Sequence, residues 1–337
     1  NASLFSHNNL NERQASVNPD SPAAIFYTSG TTGFPKGVTL SHHSVLNNGY
    51  FIAKRLNYSD KERVCIPVPF YHCFGMVIGN LACTTNGACI VVASEAFEPD
   101  KVMKTVAQEK CTSLYGVPTM FIAELDHPDF DKYDFSSLRT GVMAGSPCPN
   151  ETMKQVQSKM HMKEVAICYG MTETSPVSTQ TFVDDSLEKR VSTIGKAQDH
   201  IEIKIIDPET GNILPRGETG EFCTRGYSVM LGYWNDKKAT EKAKDNSGWM
   251  HTGDLAVMDN DGYLNIVGRI KDMIIRGGEN IYPREIEEFL YKHPLVSDVQ
   301  VIGVPSKKYG EEVMAWVKLK PNAEATEKEL EDFCINN

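Results

Sequence analysis

Residues 28–37 read Thr28-Ser29-Gly30-Thr31-Thr32-Gly33-Phe34-Pro35-Lys36-Gly37. The apolar run at 23–27 before this stretch predicts a buried strand, and residues 38–40 lead away from it. Glycines leave backbone N–H groups accessible to a polyanion, and the hydroxyls and the ammonium add further donors. The stretch therefore predicts a phosphate-binding loop. Its spacing is not that of the common P-loop, because the residue directly before Lys36 is proline and not glycine. A flexible linker rich in Gly, Ser and Thr is the alternative.

The composition is that of a globular protein with about two domains. The chain has 337 residues, of which 41% are hydrophobic and 23% charged. A formal charge of −10 argues against binding to nucleic acid. No apolar run reaches the ~18 residues of a membrane span. Nine cysteines without a Cys-x-x-Cys pair favour reduced, mostly buried thiols over a disulfide framework or a zinc site.

Strand-like and helix-like segments alternate through the first half of the chain. Apolar runs at 64–68, 89–93, 113–117, 138–142 and 165–168 predict strands, and 41–56, 100–110 and 151–160 predict helices, the first with Ser41 as N-cap. Residues 1–20 are polar, and we expect them to be irregular. Strands alternating with helices imply parallel pairing in a doubly wound sheet, whose ligands lie beyond the strand carboxyl ends.

Two further changes in pattern predict two more regions. Short strand-like runs and turns from about residue 191 predict antiparallel β structure. A helix with Pro283 in its first turn, strands at 299–304 and 313–319, and a last helix capped by Thr326 and Glu329 predict a small α+β domain. The predicted fold class is α/β: a doubly wound mixed sheet with a β-rich subdomain, then a truncated α+β domain. The predicted boundaries are 1–190, 191–270 and 271–337.

Two more stretches carry candidate ligand groups. Residues 169–176, Tyr-Gly-Met-Thr-Glu-Thr-Ser-Pro, follow a strand and present an aromatic ring, hydroxyls and a carboxylate, which suit a base, a phosphate and Mg²⁺. An incidental polar loop is the alternative. Asp254, in Thr252-Gly253-Asp254, offers a carboxylate for ribose hydroxyls, although alone it is equally an ordinary turn residue.

In order, these stretches resemble the adenylate-forming superfamily of acyl-CoA synthetases, luciferases and peptide-synthetase adenylation domains. The resemblance extends over residues 220–222, 232–234, 268–272 and 276–283, and covers nearly the whole chain from about residue 20. The sequences at 69–73, 144–147 and 272–279 are most similar to those of the medium-chain fatty acyl-CoA synthetases, of the animal type called family member two.

The resemblance implies an AMP-forming acid–thiol ligase. A fatty acid carboxylate attacks the α-phosphate of ATP to give an acyl adenylate and pyrophosphate, and coenzyme A then displaces AMP. ATP, Mg²⁺ and CoA are the implied cofactors and co-substrates; no nucleic acid or membrane span is implied, and the oligomeric state is left open. The implied compartment is the mitochondrial matrix, with the cytoplasm as the alternative.

The resemblance also assigns roles residue by residue. Catalytic roles fall to Lys36, Thr172, Glu173, which holds Mg²⁺, and His72. Nucleotide binding is assigned to Thr28, Ser29, Gly30, Thr31, Thr32, Gly33, Lys36, Gly145, Ser146, Pro147, Tyr169, Gly170, Met171, Thr172, Asp254 and Arg269. The implied hinge is Lys271. The implied CoA contacts are Arg276, Gly277, Gly278 and Glu279, and the implied acyl pocket is formed by His72, Tyr115, Gly116, Gly141 and Val142. A packed core histidine is the alternative for His72, and a solvated charged turn for Lys271.

The sequence departs from the family pattern at both ends. It begins at Asn1 without Met and stops within a helical pattern, so we expect both ends to be cut and a targeting segment to lie outside it. The family's N-terminal portion and a C-terminal lysine that bridges carboxylate and α-phosphate have no match. We expect the 337 residues alone to bind nucleotide weakly and to adenylate poorly. The competing hypotheses are a luciferase-like or carrier-loading adenylation enzyme, and a non-catalytic nucleotide-binding scaffold.

Overall fold

The computed structural model describes residues 7–28, 34–146 and 148–336. The chain forms two compact units, each made of several segments. The first contains the described residues up to Ile203, Cys223–His251 and Asp261–Leu264. The second contains Lys204–Phe222, Thr252–Asn260 and the residues from Asn265 onward.

The helices and strands are numbered in chain order. The helices are α1 (His7–Ser16), α2 (His42–Arg55), α3 (Ala82–Thr84), α4 (Pro99–Glu109), α5 (Pro118–Leu125), α6 (Asn150–Lys159), α7 (Leu187–Ser192), α8 (Lys237–Ala243), α9 (Pro283–Leu290) and α10 (Glu327–Asn336). The strands are β1 (Pro22–Thr28), β2 (Lys36–Ser41), β3 (Arg63–Cys65), β4 (Cys89–Val91), β5 (Ser113–Gly116), β6 (Thr140–Ala144), β7 (Glu164–Gly170), β8 (Val177–Gln180), β9 (Lys196–Ala197), β10 (Ile201–Ile206), β11 (Gly220–Gly226), β12 (Gly232–Tyr233), β13 (Met250–Met258), β14 (Leu264–Arg269), β15 (Ile274–Arg276), β16 (Glu279–Ile281), β17 (Val296–Ser306) and β18 (Gly310–Leu319). A π-helix spans Phe74–Leu81.

A seven-stranded sheet is the centre of the first unit. Its order is β4-β3-β5-β6-β7-β8-β9; β4 to β7 run parallel, and β8 and β9 are antiparallel to their neighbours. Alternate side chains face two separate cores: Tyr115 and Val142 face α2 and the π-helix, whereas Leu114 and Met143 face α4, α5 and α6. Helices therefore cover both faces, which confirms the predicted doubly wound mixed sheet.

A three-stranded sheet in the order β1-β2-β12 carries the two ends of the predicted phosphate loop. The strand at 23–27 exists, but the prediction that it is buried is wrong. β1 lies at the edge of this sheet, with Ile25 39% and Tyr27 69% exposed, while the central strand β2 is almost wholly buried. An apolar run identifies a strand but not its place in a sheet, because edge position depends on pairing partners far along the chain.

Two other sequence predictions are wrong for similar reasons. The run at 89–93 was expected to be a buried strand, yet β4 is the outermost strand of its sheet and leaves Cys89 and Val92 exposed. Residues 1–20 were expected to be irregular, yet α1 spans His7–Ser16. The described side chains of α1 are all exposed, so it lacks the apolar face that reveals a helix in a sequence.

The predicted helix caps are confirmed. The Ser41 hydroxyl accepts the N–H of Ser44 at the start of α2. Pro283 occupies the first turn of α9, and Glu329 donates its N–H to the Thr326 hydroxyl while its carboxylate accepts from the Thr326 N–H. These signals are local, which is why the sequence sufficed to find them.

The second unit contains a small α+β fold. Strands β16-β15-β18-β17 form an antiparallel sheet, and α9 packs on it around Ile274, Leu290, Val296, Val299 and Val301. A further four-stranded sheet in the order β10-β11-β13-β14 is carried mainly by this unit. The expected β-rich region and α+β domain are both present, so the fold class is confirmed.

None of the nine cysteines, all within the described residues, forms a disulfide, and six are buried. This agrees with the expected reduced thiols. Among the helices described, none has both the length and the apolar character that crossing a bilayer requires.

Candidate functional site

The carboxyl ends of three neighbouring parallel strands bring several predicted residues to one edge of the large sheet. Gly116 ends β5 opposite Met143, and Ala144 of β6 stands opposite Cys168 of β7. Gly145 and Ser146 directly follow β6, and Tyr169 and Gly170 end β7. The edge beyond parallel strands is where α/β folds bind ligands. Pro147 and residues 29–33, also assigned to the nucleotide, lie outside the described residues.

The turn after β7 is held firmly by its own bonds and by residues 228–230. The Thr174 hydroxyl donates to the carbonyl of Pro176 at 2.8 Å, and Ser175 donates its hydroxyl to the carbonyl of Ser228 at 2.6 Å. The N–H of Met230 donates to the carbonyl of Glu173 at 2.9 Å. These bonds fix the backbone at Thr172 and Glu173, so both side chains start from defined positions.

Glu173 and Lys36 meet on one tyrosine. The Glu173 side chain is 6% exposed, and the Tyr233 hydroxyl donates to its Oε1 at 2.7 Å. The Lys36 Nζ lies 5.0 Å from the centre of the Tyr233 ring. Thr28 pairs with Lys36 where β1 and β2 meet. A carboxylate and an ammonium thus contact the same tyrosine, and no ion pair joins the two among the described residues.

Thr172 contacts the chain next to His72. The Cys73 thiol donates to the Thr172 hydroxyl at 3.4 Å. Burial raises the pKa of Cys73 to about 11, so the thiol keeps its proton at neutral pH. The N–H of Phe74 donates to Nδ1 of His72 at 3.1 Å, and partial burial lowers the pKa of His72. His72 is therefore neutral at pH 7, with its proton on Nε2.

The predicted acyl-pocket residues lie on both faces of the sheet. Tyr115 and Val142 face the first core, where the Tyr115 ring lies 6.1 Å from that of Phe74 and its hydroxyl accepts from Tyr58 at 3.0 Å. Gly141 lies against Leu114 and Met162, on the opposite face, and Gly116 lies against Phe121 there. The assignment of these residues to the acyl chain stays a prediction.

In the second unit, Asp254 is bound to Arg269. The Arg269 Nε donates to Asp254 Oδ1 at 3.1 Å, and the Asp254 side chain is 17% exposed. The Thr252 hydroxyl accepts the N–H of Asp254 at 3.1 Å, and Glu221 accepts the N–H of Gly253. The residues assigned to the ribose therefore form one hydrogen-bonded group.

The assigned hinge and CoA residues also belong to the second unit. The Lys271 Nζ is 3.9 Å from Asp272 Oδ1, and its side chain is 44% exposed. Arg276 pairs with Glu312 and lies 4.1 Å from the centre of the Tyr309 ring. Gly277 and Gly278, both at positive φ, form the tight connection to Glu279, which pairs with Arg276 across the hairpin.

Neither Tyr233 nor Cys73 is among the residues that the sequence analysis assigns to the site. Tyr233 lies in a stretch that carries the resemblance, but its bond to Glu173 spans 60 residues, and that of Cys73 to Thr172 spans 99. No local spacing predicts such contacts. They become visible only once the strands have been paired.

The fold and this arrangement define a nucleotide-binding α/β protein, and comparison with known proteins identifies the class. The chain belongs to the AMP-binding enzyme family: the family model matches residues 2–234, and that of the AMP-binding enzyme C-terminal domain matches residues 285–337. It is thereby a member of the adenylate-forming superfamily.

Its relatives include acyl-CoA synthetases. It is 59% identical over 325 residues to the putative acyl-CoA synthetase YngI of Bacillus subtilis, covering 96% of this chain and 59% of that protein. It is 46% identical over 327 residues to the mitochondrial medium-chain acyl-CoA ligase ACSF2 of Danio rerio, covering 96% and 54%. The human ACSF2 shares 44% over 317 residues, covering 93% and 52%. The chain spans between half and three-fifths of these relatives.

Solved structures agree with the family. ATP-bound MatB from Rhodopseudomonas palustris has a TM-score of 0.86 and 32% identity, covering 95% of this chain and 62% of that one. The o-succinylbenzoate CoA synthetase MenE from Bacillus subtilis, in complex with its acyl-adenylate intermediate, has a TM-score of 0.83 and 31% identity, covering 95% and 63%.

Proposed function

We propose that these residues belong to an ATP-dependent fatty acyl-CoA ligase that forms AMP. The first half-reaction joins a fatty acid carboxylate to the α-phosphate of ATP and releases pyrophosphate. In the second, the thiol of coenzyme A displaces AMP. The observation that carries the proposal is that Lys36, a cation suited to phosphate, and Glu173, a carboxylate suited to a metal ion, both contact Tyr233.

The chain's own groups reduce the barrier to the first step by positioning and by positive potential. Lys36 and the loop from Thr28 hold the β- and γ-phosphates and then the leaving pyrophosphate. The Thr172 hydroxyl, which accepts from Cys73, has its own proton available for an α-phosphate oxygen. The fatty acid carboxylate can then approach the α-phosphate because the negative charge of ATP is already compensated.

Glu173 fits the expected Mg²⁺. Its carboxylate is buried, is anchored through Oε1, and supplies the hard oxygen ligand that Mg²⁺ prefers alongside substrate phosphates. Mg²⁺ would compensate charge on the phosphates. The protein's part is to hold that carboxylate at a fixed place on the turn after β7.

The remaining nucleotide contacts follow the strand edges. Tyr169, Gly170 and Met171 enclose adenine with Gly145, Ser146 and Pro147 from the end of β6. Asp254 accepts the ribose hydroxyls, and Arg269 holds its carboxylate in place. A non-catalytic scaffold would need none of these groups together with Lys36 and Glu173.

In the second half-reaction, Lys271 is the hinge and Arg276, Gly277, Gly278 and Glu279 contact coenzyme A. His72, neutral and carrying its proton on Nε2, borders the acyl and thiol entry as a hydrogen-bond donor. Because a free thiol titrates near ~8.5, modest assistance suffices to ionise it. Tyr115, Gly116, Gly141 and Val142 are the proposed acyl contacts.

Medium-chain fatty acids are the proposed substrates, supported by the name that ACSF2 carries in several vertebrates. The same name supports the mitochondrial matrix as the compartment, whereas the more similar Bacillus relative supports the cytoplasmic alternative.

A substrate panel tests the proposal. The full-length protein is incubated with ATP, Mg²⁺ and acids of increasing chain length, with CoA or a carrier protein as the acceptor. Release of AMP with CoA and medium-chain acids is expected. Release of AMP only with a carrier protein would establish the carrier-loading alternative. Oxidation of a luciferin-type acid with emission of light would establish the luciferase-like alternative. No release of AMP with any acid would establish the non-catalytic scaffold.

A further inference from the structure

Tyr233 is fixed by the strand that leaves the phosphate loop. It is 9% exposed and packs with Val38, Leu40 and Met230. Its backbone pairs with Val38 of β2, and the next residue, Trp234, donates its N–H to the carbonyl of Gly37 at 2.7 Å. The backbone on both sides of the Tyr233 side chain is therefore paired with β2, and the side chain itself is buried.

The Tyr233 side chain contacts two groups of opposite charge, a carboxylate and an ammonium. Its hydroxyl donates to Glu173 Oε1 at 2.7 Å, and its ring face lies 5.0 Å from the Lys36 ammonium. Within the described residues no ion pair joins Lys36 to a carboxylate; its ammonium lies over the Tyr233 ring instead. Tyr233 therefore holds the ammonium over its ring face and the carboxylate at its hydroxyl, and these two groups carry opposite charges.

We infer that Tyr233 is a positioning residue with two separable roles: its hydroxyl orients the metal-holding carboxylate, and its ring keeps Lys36 from pairing with that carboxylate. The inference rests on the proposed function, because it takes Lys36 as a phosphate ligand and Glu173 as a metal ligand. An ion pair between them would cancel both charges. Keeping them apart leaves each charge for the bound nucleotide and its metal.

The hydroxyl role follows from the geometry of a carboxylate. A glutamate side chain rotates about its last bond, and a donor on Oε1 stops that rotation and directs Oε2. Partners of metal ligands act in this way, and their loss typically weakens metal binding about 10- to 100-fold. The ring role follows from Coulomb attraction, which is strong where water is largely excluded.

Calorimetry of ATP binding to the full-length protein, with and without MgCl₂, separates the two roles. Tyr233→Phe keeps the ring and removes the hydroxyl. We expect it to bind ATP alone within about twofold of the wild type while the gain from Mg²⁺ falls about tenfold. Tyr233→Leu also removes the ring, so ATP binding without metal falls as well. In a Lys36→Ala background, Tyr233→Leu should cause no further loss of metal-free binding.

Tyr263→Phe is the matched control, since the Tyr263 hydroxyl likewise donates to a carboxylate, that of Asp185. It should leave both binding constants unchanged, and thermal unfolding checks that every variant folds. In a Glu173→Gln background, Tyr233→Phe should have no further effect on the response to Mg²⁺.

An unchanged Mg²⁺ response in Tyr233→Phe, or an equal loss in Tyr263→Phe, would overturn the inference while leaving the proposed function intact. A wild-type chain that binds ATP without any response to Mg²⁺ would overturn the metal assignment of the proposed function, and the hydroxyl role with it. Equal metal-free ATP binding by Tyr233→Leu and the wild type would overturn the ring role.

Discussion

Glu173 and Glu124 are both buried carboxyl groups, and they differ in what surrounds them. Glu173 accepts a hydrogen bond from the Tyr233 hydroxyl. Glu124, on α5, is 1% exposed, and its Oε2 has no hydrogen-bond partner among the described residues. Burial without a partner raises the pKa of Glu124 to about 8. Glu124 is therefore a cost to stability at neutral pH.

Glu124 should make stability depend on pH. Because its pKa in the folded chain is about 8 and its ordinary value is 4.5, the folded state keeps a proton that the unfolded state releases between those values. The free energy of unfolding should therefore fall as the pH rises through this window and level off above it. Glu124→Gln should remove most of that slope in urea unfolding curves. The exposed Glu95→Gln is the control, and a slope that survives in Glu124→Gln would refute the assignment.

Cys73 should affect nucleotide binding through Thr172. The Cys73→Ala variant loses the S–H that donates to the Thr172 hydroxyl, so the affinity for ATP should fall about threefold to tenfold. Cys73→Ser keeps a donor and should recover most of the affinity even where its melting temperature is lower. If binding follows the melting temperatures of the two variants instead, Cys73 acts only through packing.

At this scale the sequence identified the groups proposed to contact the ligand but not the side chains that hold those groups in place. Lys36, Thr172 and Glu173 were found because short motifs contain them. Tyr233 and Cys73 were missed because each acts across a fold contact rather than within a motif.

At the scale of helices and strands, the central parts of the sheet were the most predictable. The runs that became β5, β6 and β7 are buried on both faces, so their apolar character is continuous. The edge strands β1 and β4 were misjudged as buried, and the polar helix α1 was missed. Position in a sheet is a property of pairing over long distances, which a local pattern does not contain.

Asn48 joins α2 to the strand that follows the Glu173 turn. It is fully buried, donates to the carbonyl of Val177 at 2.8 Å and accepts the N–H of Val177 at 3.1 Å. Asn48→Ala leaves two buried backbone groups unpaired and should lower the free energy of unfolding by about 2–4 kcal/mol. ATP affinity should fall with it, because β8 supports the turn.

The neighbouring Asn47 is the matched control for this prediction. Its side chain donates to the carbonyl of His43 within the same helix at an exposed site. Asn47→Ala should change stability by less than about 0.5 kcal/mol. Equal destabilisation by the two variants in denaturant titrations would show that the contact with Val177 is not what stabilises this region.

At the scale of the whole molecule, the chain consists of two units, and it spans between half and three-fifths of its curated relatives. The fold class and the family followed from the order of the motifs, since few families combine a phosphate loop, a carboxylate turn and a late α+β domain in that order. The predicted domain boundaries and the site assignments stay predictions. The acyl chain length was out of reach because it depends on how side chains from both faces of the sheet pack.

Substitutions of Lys271 test whether the full-length protein changes conformation at the proposed hinge between the two half-reactions. Lys271→Pro restricts the backbone at the proposed hinge, so thioester formation should be suppressed while adenylation stays close to that of the wild type. Lys271→Ala, which keeps a flexible backbone, should affect neither step strongly. Separate assays of the adenylate and of acyl-CoA decide the matter, and equal losses in both steps would remove the hinge assignment.

The most direct test of the central claim is exchange of pyrophosphate into ATP that depends on a fatty acid. Measured on the full-length protein with medium-chain acids and Mg²⁺, exchange should be readily detected in the wild type and fall at least about a hundredfold in Glu173→Gln, because the metal-holding carboxylate is lost. Exchange of equal rate in Glu173→Gln, or none in the wild type with any fatty acid, would contradict the account.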